Sequence, residues 1–125
     1  MKVKVTEAEG AILDWMVAKC EGKVEQGVYG TPQLWDTGLH LYYCDAFLGS
    51  PYAPSTDWVQ GGPIIEREKI NTRFDPNWNK AQDWGASDDI DFFEAMYGPT
   101  PLIAAMRCYV ASKLGDEVEV PDELV

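Results

Sequence analysis

Charged and apolar residues alternate from Lys2 to Val5, the period-two pattern of a short strand with one buried face. Ala8, Ala11, Ile12, Trp15 and Ala18 then recur at helical spacing. Thr6 and Glu9 fit a capping box, and Gly22 stands where a helix ends, so the pattern predicts a helix over 7–21. Gly27, Gly30 and Pro32 break the next stretch and predict a hairpin or meander with Val24, Val28, Tyr29, Leu34 and Trp35 packed inward. Leu39 to Phe47, which contains His40, is apolar enough for a buried strand stopped by the turn residues Gly49, Ser50 and Pro51.

Gly62 and Pro63 open a short helix near 63–69, because proline in a first helical turn sacrifices no needed hydrogen bond. Ile70 to Phe74 reads as a strand halted by Asp75 and Pro76, with Trp78 and Trp84 pinning the polar connection that follows. Ser87 is placed to cap a short helix near 88–97 whose first turn carries Asp88, Asp89 and Asp91, with Gly98 and Pro99 ending it. Thr100 and Pro101 start a last helix that runs to Leu114 and closes at Gly115; it is apolar or small nearly all round, as a central helix must be. Glu117 to Val120 repeats the alternation of the first strand with the opposite charge, so the two segments are expected to pair, Lys2 and Lys4 facing Glu117 and Glu119.

These elements describe an α+β fold: a small mixed sheet packed against two long helices, about 7–21 and 101–114, with short helices near 63–69 and 88–97. A length of 125 residues with 46% hydrophobic residues fits one domain over 1–125.

Charge narrows the function. Ten Lys and Arg against 21 Asp and Glu give a net charge of -11, a field that repels nucleic-acid phosphates and anionic membranes, so neither is expected as a direct partner. The acidity is concentrated in residues 83–125, where ten carboxylates face only Arg107 and Lys113. Cys20, Cys44 and Cys108 are odd in number and widely spaced, which suits reduced thiols and predicts no disulfide. The start MKVKVTEAEG lacks the apolar stretch of a signal peptide, and no later run is long enough to span a bilayer. A cytoplasmic protein is expected.

Three blocks, MKVKVTEAEGAILDWMVAKCEG, YAPSTDWVQGGPIIEREKI and YGPTPLIAAMRCYVASKLGDEVEVPDEL, together resemble the NinX-like family of small proteins carried by tailed phages and prophages. The resemblance implies an accessory protein working in the cytoplasm of an infected bacterium. It brings no biochemical activity and no catalytic residues with it.

The residues themselves point first to the loop from Pro51 to Glu66. Ser55, Thr56, Asp57, Trp58, Gln60, Gly61 and Gly62 precede the expected helix start, where the N–H groups of Gly61, Gly62, Ile64 and Ile65 converge as an anion site would require. Trp58 is suited to stack on a ring, with Gln60 and Asp57 fixing polar edges. A competing reading gives the same donors to an internal cap by Thr56 or Asp57 and sends Trp58 into the core. The loop lacks the lysine and spacing of a phosphate-binding P-loop.

Arg107 shares a stripe with Ile103, Val110 and Leu114, so it is expected inside, paired with a carboxylate such as Glu66 or Asp57. Arg67 and Arg73 are further candidates for gripping an anion. Asp88, Asp89 and Asp91 have the oxygen chemistry of a cation site, but a helix cap explains them first. His40 alone assembles neither a zinc site nor a catalytic dyad, and its spacing to Cys44 reads as chance. No catalytic residue, metal or cofactor is expected. The leading expectation is a non-enzymatic protein that binds a small anionic host ligand such as a nucleotide. The alternative is an acidic interaction protein that covers a basic site on a host protein.

Overall fold

The computed structural model of the chain describes residues 1–22, 31–35, 38–42, 52–74, 82–89, 92 and 94–124. They form β1 (Lys2–Lys4), α1 (Gly10–Cys20), β2 (Thr31–Trp35), β3 (Gly38–Tyr42), α2 (Trp58–Glu68), β4 (Asn71–Phe74), β5 (Trp84–Ser87), β6 (Met96–Gly98), α3 (Pro101–Leu114) and β7 (Glu117–Glu119). Short 3-10 turns lie at Val5–Glu7 and Asp122–Leu124. The class is α+β, with helices packed on strands.

Helix α3 is the centre of the molecule. Thr100 Oγ1 accepts the Ile103 N–H at 3.1 Å and Pro101 occupies the first turn, so the start is both capped and preset for a helix. Every residue from Leu102 to Val110 is buried, and the helix touches α1, α2, β4, β5, β6 and β7. Strand β6 lies so close that a β-carbon on Gly98 would come within 2.9 Å of the Ala104 nitrogen, a spacing only glycine tolerates.

Among the described residues the strands make three separate antiparallel sheets, β1–β7, β2–β3 and β4–β5–β6, in place of the single mixed sheet the pattern predicts. Among the described residues no strand is longer than five residues, and α3 packs against β4, β5, β6 and β7. The terminal pairing is as expected: Lys2 faces Glu119, Val3 faces Val118 and Lys4 faces Glu117, with Val118 buried. Strands β2 and β3 form an antiparallel hairpin with Gln33 opposite His40. The other residues of that expected meander, Val24, Val28 and Tyr29, and the end of the expected strand at Phe47, fall outside the described residues.

Two helix starts and one expected helix are corrected. Helix α1 begins at Gly10, and Glu9 at its N-cap makes no side-chain bond, so the capping box is not formed. The Val5 N–H is tied to the Asp116 carbonyl at 2.9 Å, which holds Val5–Glu7 in a turn of its own against the end of β7. Helix α2 starts five residues before Pro63, at Trp58, because Asp57 supplies the cap. The short helix expected near 88–97 is absent among the described residues of that stretch. Ser87 Oγ accepts the Asp89 N–H at 3.1 Å in a tight turn, Phe92 and Glu94 have left-handed φ of 62° and 53°, and the chain returns as β6. Left-handed residues cannot continue a right-handed helix, and here they turn the chain into a hairpin with Ala86 opposite Met96. Trp84 accordingly sits in a strand, 5.2 Å from the Phe74 ring, instead of in a polar connection; Trp78 lies outside the described residues. Among the described residues no helix is long and apolar enough to cross a membrane.

Candidate functional site

The expected loop site is a closed knot of internal bonds at the start of α2. Asp57 Oδ1 accepts the Val59 N–H at 2.9 Å, and its Oδ2 accepts Gln60 Nε2 at 3.0 Å. Gln60 Oε1 in turn accepts the Ala53 N–H at 2.9 Å. The Asp57 carbonyl takes the N–H groups of Gln60 and Gly61 at 3.0 and 2.9 Å, and the Ala53 carbonyl takes those of Thr56 and Asp57 at 3.2 and 2.8 Å. Because the helix starts at Trp58, Gly61, Gly62, Ile64 and Ile65 lie within it, and their N–H groups are not gathered at its end as an anion site would require. A β-carbon on Gly61 would overlap the Pro54 carbonyl oxygen and come within 2.6 Å of Leu102 Cδ1, so its glycine serves close packing. Asp57 is the internal cap of the competing reading. Trp58 does not go into the core as that reading has it: it is 54% exposed, and Val59 beside it is 79% exposed.

The structure brings Ser55, Thr56, Asp57, Trp58, Gln60, Gly61 and Gly62 together but commits the three arginines elsewhere. Arg67 forks onto Glu21 with bonds of 3.1 and 2.9 Å, donates to Glu68 at 2.8 Å and also reaches the Tyr109 hydroxyl. These carboxylates hold its pKa above the ordinary arginine value, while burial and the neighbouring Glu21 raise that of Tyr109. Arg73 on β4 lies over the Phe92 ring at 4.2 Å. Arg107 is only 2% exposed, as its stripe predicts, but Glu66 and Asp57 are not its partners. Its Nε donates to the Ala8 carbonyl at 2.8 Å, and Nη1 donates to the Tyr97 carbonyl at 2.7 Å and to Gln82 Oε1 at 3.0 Å. Main-chain and amide oxygens fix this guanidinium, and burial lowers its pKa.

The acidic pole has a shape that sequence alone does not show. Asp88, Glu94 and Asp116 line a cleft of about 610 Å³ beside α3 together with Ala95, Met96, Cys108, Ala111 and Ser112, and among the described residues no Lys or Arg lines it. Of the pole's two cations, Arg107 is buried, and Lys113, itself exposed, is paired with Glu68 at 3.4 Å. Among the described residues no group of three or more His, Cys, Asp or Glu is placed to hold a metal ion, so the three carboxylates line the cleft without meeting at a point. Burial, helped by Asp88, pushes the Cys108 thiol up to about 11, and burial with Glu21 pushes Cys20 up to about 12. Neither thiol ionises near neutral pH, which leaves them poor nucleophiles. Asp91, Cys44 and Pro51 lie outside the described residues.

Asp14 is the buried carboxyl that pattern reading passes over. It is 5% exposed in the middle of α1, and its Oδ1 accepts the Ser55 N–H at 2.8 Å. Burial drives its pKa from the ordinary 3.8 up to about 7, opposed only by the Ser55 hydroxyl and amide. The Ser55 hydroxyl lies beside that carboxyl yet is aligned for a hydrogen bond with no described group, although Ser55 is fully buried. The signal was available: Asp14 is the single charge between Gly10 and Lys19. For the cleft no such signal exists, since Asp88, Glu94 and Asp116 come from separate turns.

A family model described as Bacteriophage P22, NinX matches residues 4–113 of the chain. No curated protein matches it.

Proposed function

Because the chain belongs to the bacteriophage P22 NinX family, we propose that it is a phage accessory protein that presents its acidic face to a basic partner in the cytoplasm of the infected bacterium. The observation that carries this reading is the cleft lined by Asp88, Glu94 and Asp116, with no basic side chain among the described residues of its lining. A lining of apolar side chains and carboxylates suits a lysine or arginine side chain, whose stem lies on Met96 and Ala111 while its head meets the carboxylates. The ionised guanidinium and the exposed lysine that would oppose such a partner are both held by other groups.

The test is capture of host proteins from lysate by the natural chain and by the triple variant D88N, E94Q and D116N, at low and high salt. A partner held by the natural chain at low salt, released at high salt and lost in the triple variant supports the reading, because exposed charges are screened as ionic strength rises. Partners retained by the triple variant count against it.

A second reading is favoured by Trp58, whose exposure at the start of α2 leaves a flat ring open to a planar ligand such as a nucleotide base. Its test is a panel of nucleotides and metabolites scored by melting temperature, since any ligand of the folded state raises it. A shift that Trp58→Ala abolishes supports it; no shift at saturating ligand ends it.

A further inference from the structure

Three features meet at Asp14. It is a carboxyl buried in a helix interior; its one direct partner is the amide of Ser55, at 2.8 Å; and the hydroxyl of that same serine is fully buried without a hydrogen bond among the described residues. An ionised carboxyl would accept from the amide and from the hydroxyl hydrogen. A protonated one has a hydrogen to place, and the Ser55 oxygen is the unsatisfied acceptor beside it. Burial leaves little room to avoid the choice, because an unpaired polar group away from water is costly.

Ser55 belongs to the knot that begins α2. The Ala53 carbonyl holds the Asp57 N–H, the Gln60 side chain joins Ala53 to Asp57, and the Pro54 carbonyl rests against Gly61. A displacement of Ser55 is therefore passed to Asp57 and to the first turn of α2, where Trp58 and Val59 are exposed. We propose that Asp14 and Ser55 form a proton switch: a proton taken up by the Asp14 carboxyl stays on it and is offered to Ser55 Oγ as a hydrogen bond, and the 53–57 turn with the first residues of α2 shifts between the two states. The step balances, since one solvent proton forms an O–H bond on the Asp14 carboxylate and no other covalent bond is made or broken.

The surrounding charges leave the switch to this pair. On the elements about it, Asp57 is spent on the Val59 amide and Gln60, Arg107 on the Ala8 and Tyr97 carbonyls, and Lys19 lies 5.4 Å from the Trp15 ring centre; Glu9 is exposed. None of them bears on the Asp14 carboxyl, whose titration is governed by burial and Ser55, placing the change near neutral pH.

The experiment is a pH titration of the natural chain by carbon and amide NMR, from about 5 to about 9, a range that brackets a carboxyl raised by burial. The expected result is that the Asp14 carboxyl carbon titrates near 7, with the Ser55, Val59 and Gly61 amides moving at the same midpoint. In Asp14→Asn, whose side-chain amide donates to Ser55 Oγ as the protonated acid would, those amides should sit at their low-pH positions throughout. An Asp14 carboxyl that titrates at the ordinary 3.8, or one that titrates near neutrality with the Val59 and Gly61 amides still, overturns the proposal. Both outcomes are read on the natural chain, so failure of the variant to fold does not shelter it.

Discussion

The Arg107 guanidinium donates through Nε to the Ala8 carbonyl oxygen at 2.8 Å, inside the core and 99 residues away along the chain. With its bonds to Tyr97 and Gln82 it ties the end of the Val5–Glu7 turn, the hairpin strand β6 and the central helix into one point. The positive charge is held by dipoles of the main chain, so its structural value lies in oxygens that would otherwise be buried without donors.

Arg107→Met keeps much of the side-chain volume and removes those donors. It should destabilise the fold by about 2–4 kcal/mol, read by chemical denaturation, because the buried Ala8 carbonyl and the part-buried Tyr97 and Gln82 oxygens lose this donor. A loss indistinguishable from zero would show that water or repacking satisfies them.

Adjacent glycines in α2 should respond in opposite directions. Gly61→Ala drives a methyl into the Pro54 carbonyl and Leu102, and overpacking of this kind costs roughly 1–3 kcal/mol. At Gly62 an added β-carbon would meet only Trp58 Cε3 at 3.9 Å, an ordinary van der Waals contact, so Gly62→Ala should stabilise by roughly 0.5–1 kcal/mol through helix propensity. Equal melting temperatures for the two variants would contradict the packing described.

Removing the cap tests why α2 starts where it does. Asp57→Ala deletes the acceptor of the Val59 amide and the tie to Gln60, and should cost about 1 kcal/mol. Faster hydrogen exchange at Val59 and Gln60, with α3 unaffected, is the accompanying signature; unchanged exchange there would put the helix start under some other control.

How far these features were legible depends on how local their causes are. Thr100, Pro101 and Gly115 bound α3 through bonds within a few residues, and the alternating charges of β1 and β7 face each other in the expected register. The hairpin β5–β6 was misread because a serine followed by aspartates caps helices and tight turns alike. What separates the two is the left-handed backbone at Phe92 and Glu94, which carries no glycine to announce it. For Arg107, burial was legible from its stripe but the partners were not, since Ala8, Gln82 and Tyr97 offer oxygens that any sequence contains. The cleft was illegible for the same reason: its carboxylates meet only after folding.

Asp14 gives the stability a pH dependence of definite sign. Its folded pKa of about 7 exceeds the ordinary 3.8, so the protonated acid favours the folded state. That contribution is complete below the unfolded value and is lost as pH rises through the folded one. The difference in unfolding free energy between the natural chain and Asp14→Asn should therefore change between about pH 4 and 7, with the variant relatively more stable at the upper end, and be flat above it. A constant difference across that window would mean that Asp14 ionises as an ordinary carboxyl.

The central claim is that the cleft beside α3 receives cationic side chains. Its most direct measurement is an amide NMR titration of the chain with a short oligolysine peptide at low and high salt, alongside the D88N, E94Q and D116N triple variant, whose exchanged side chains are all exposed. The predicted result is a saturable shift of the Ala95, Met96, Ala111 and Ser112 amides that fades at high salt and is absent from the variant. Shifts that survive in the variant, or that fall elsewhere on the surface, would contradict it.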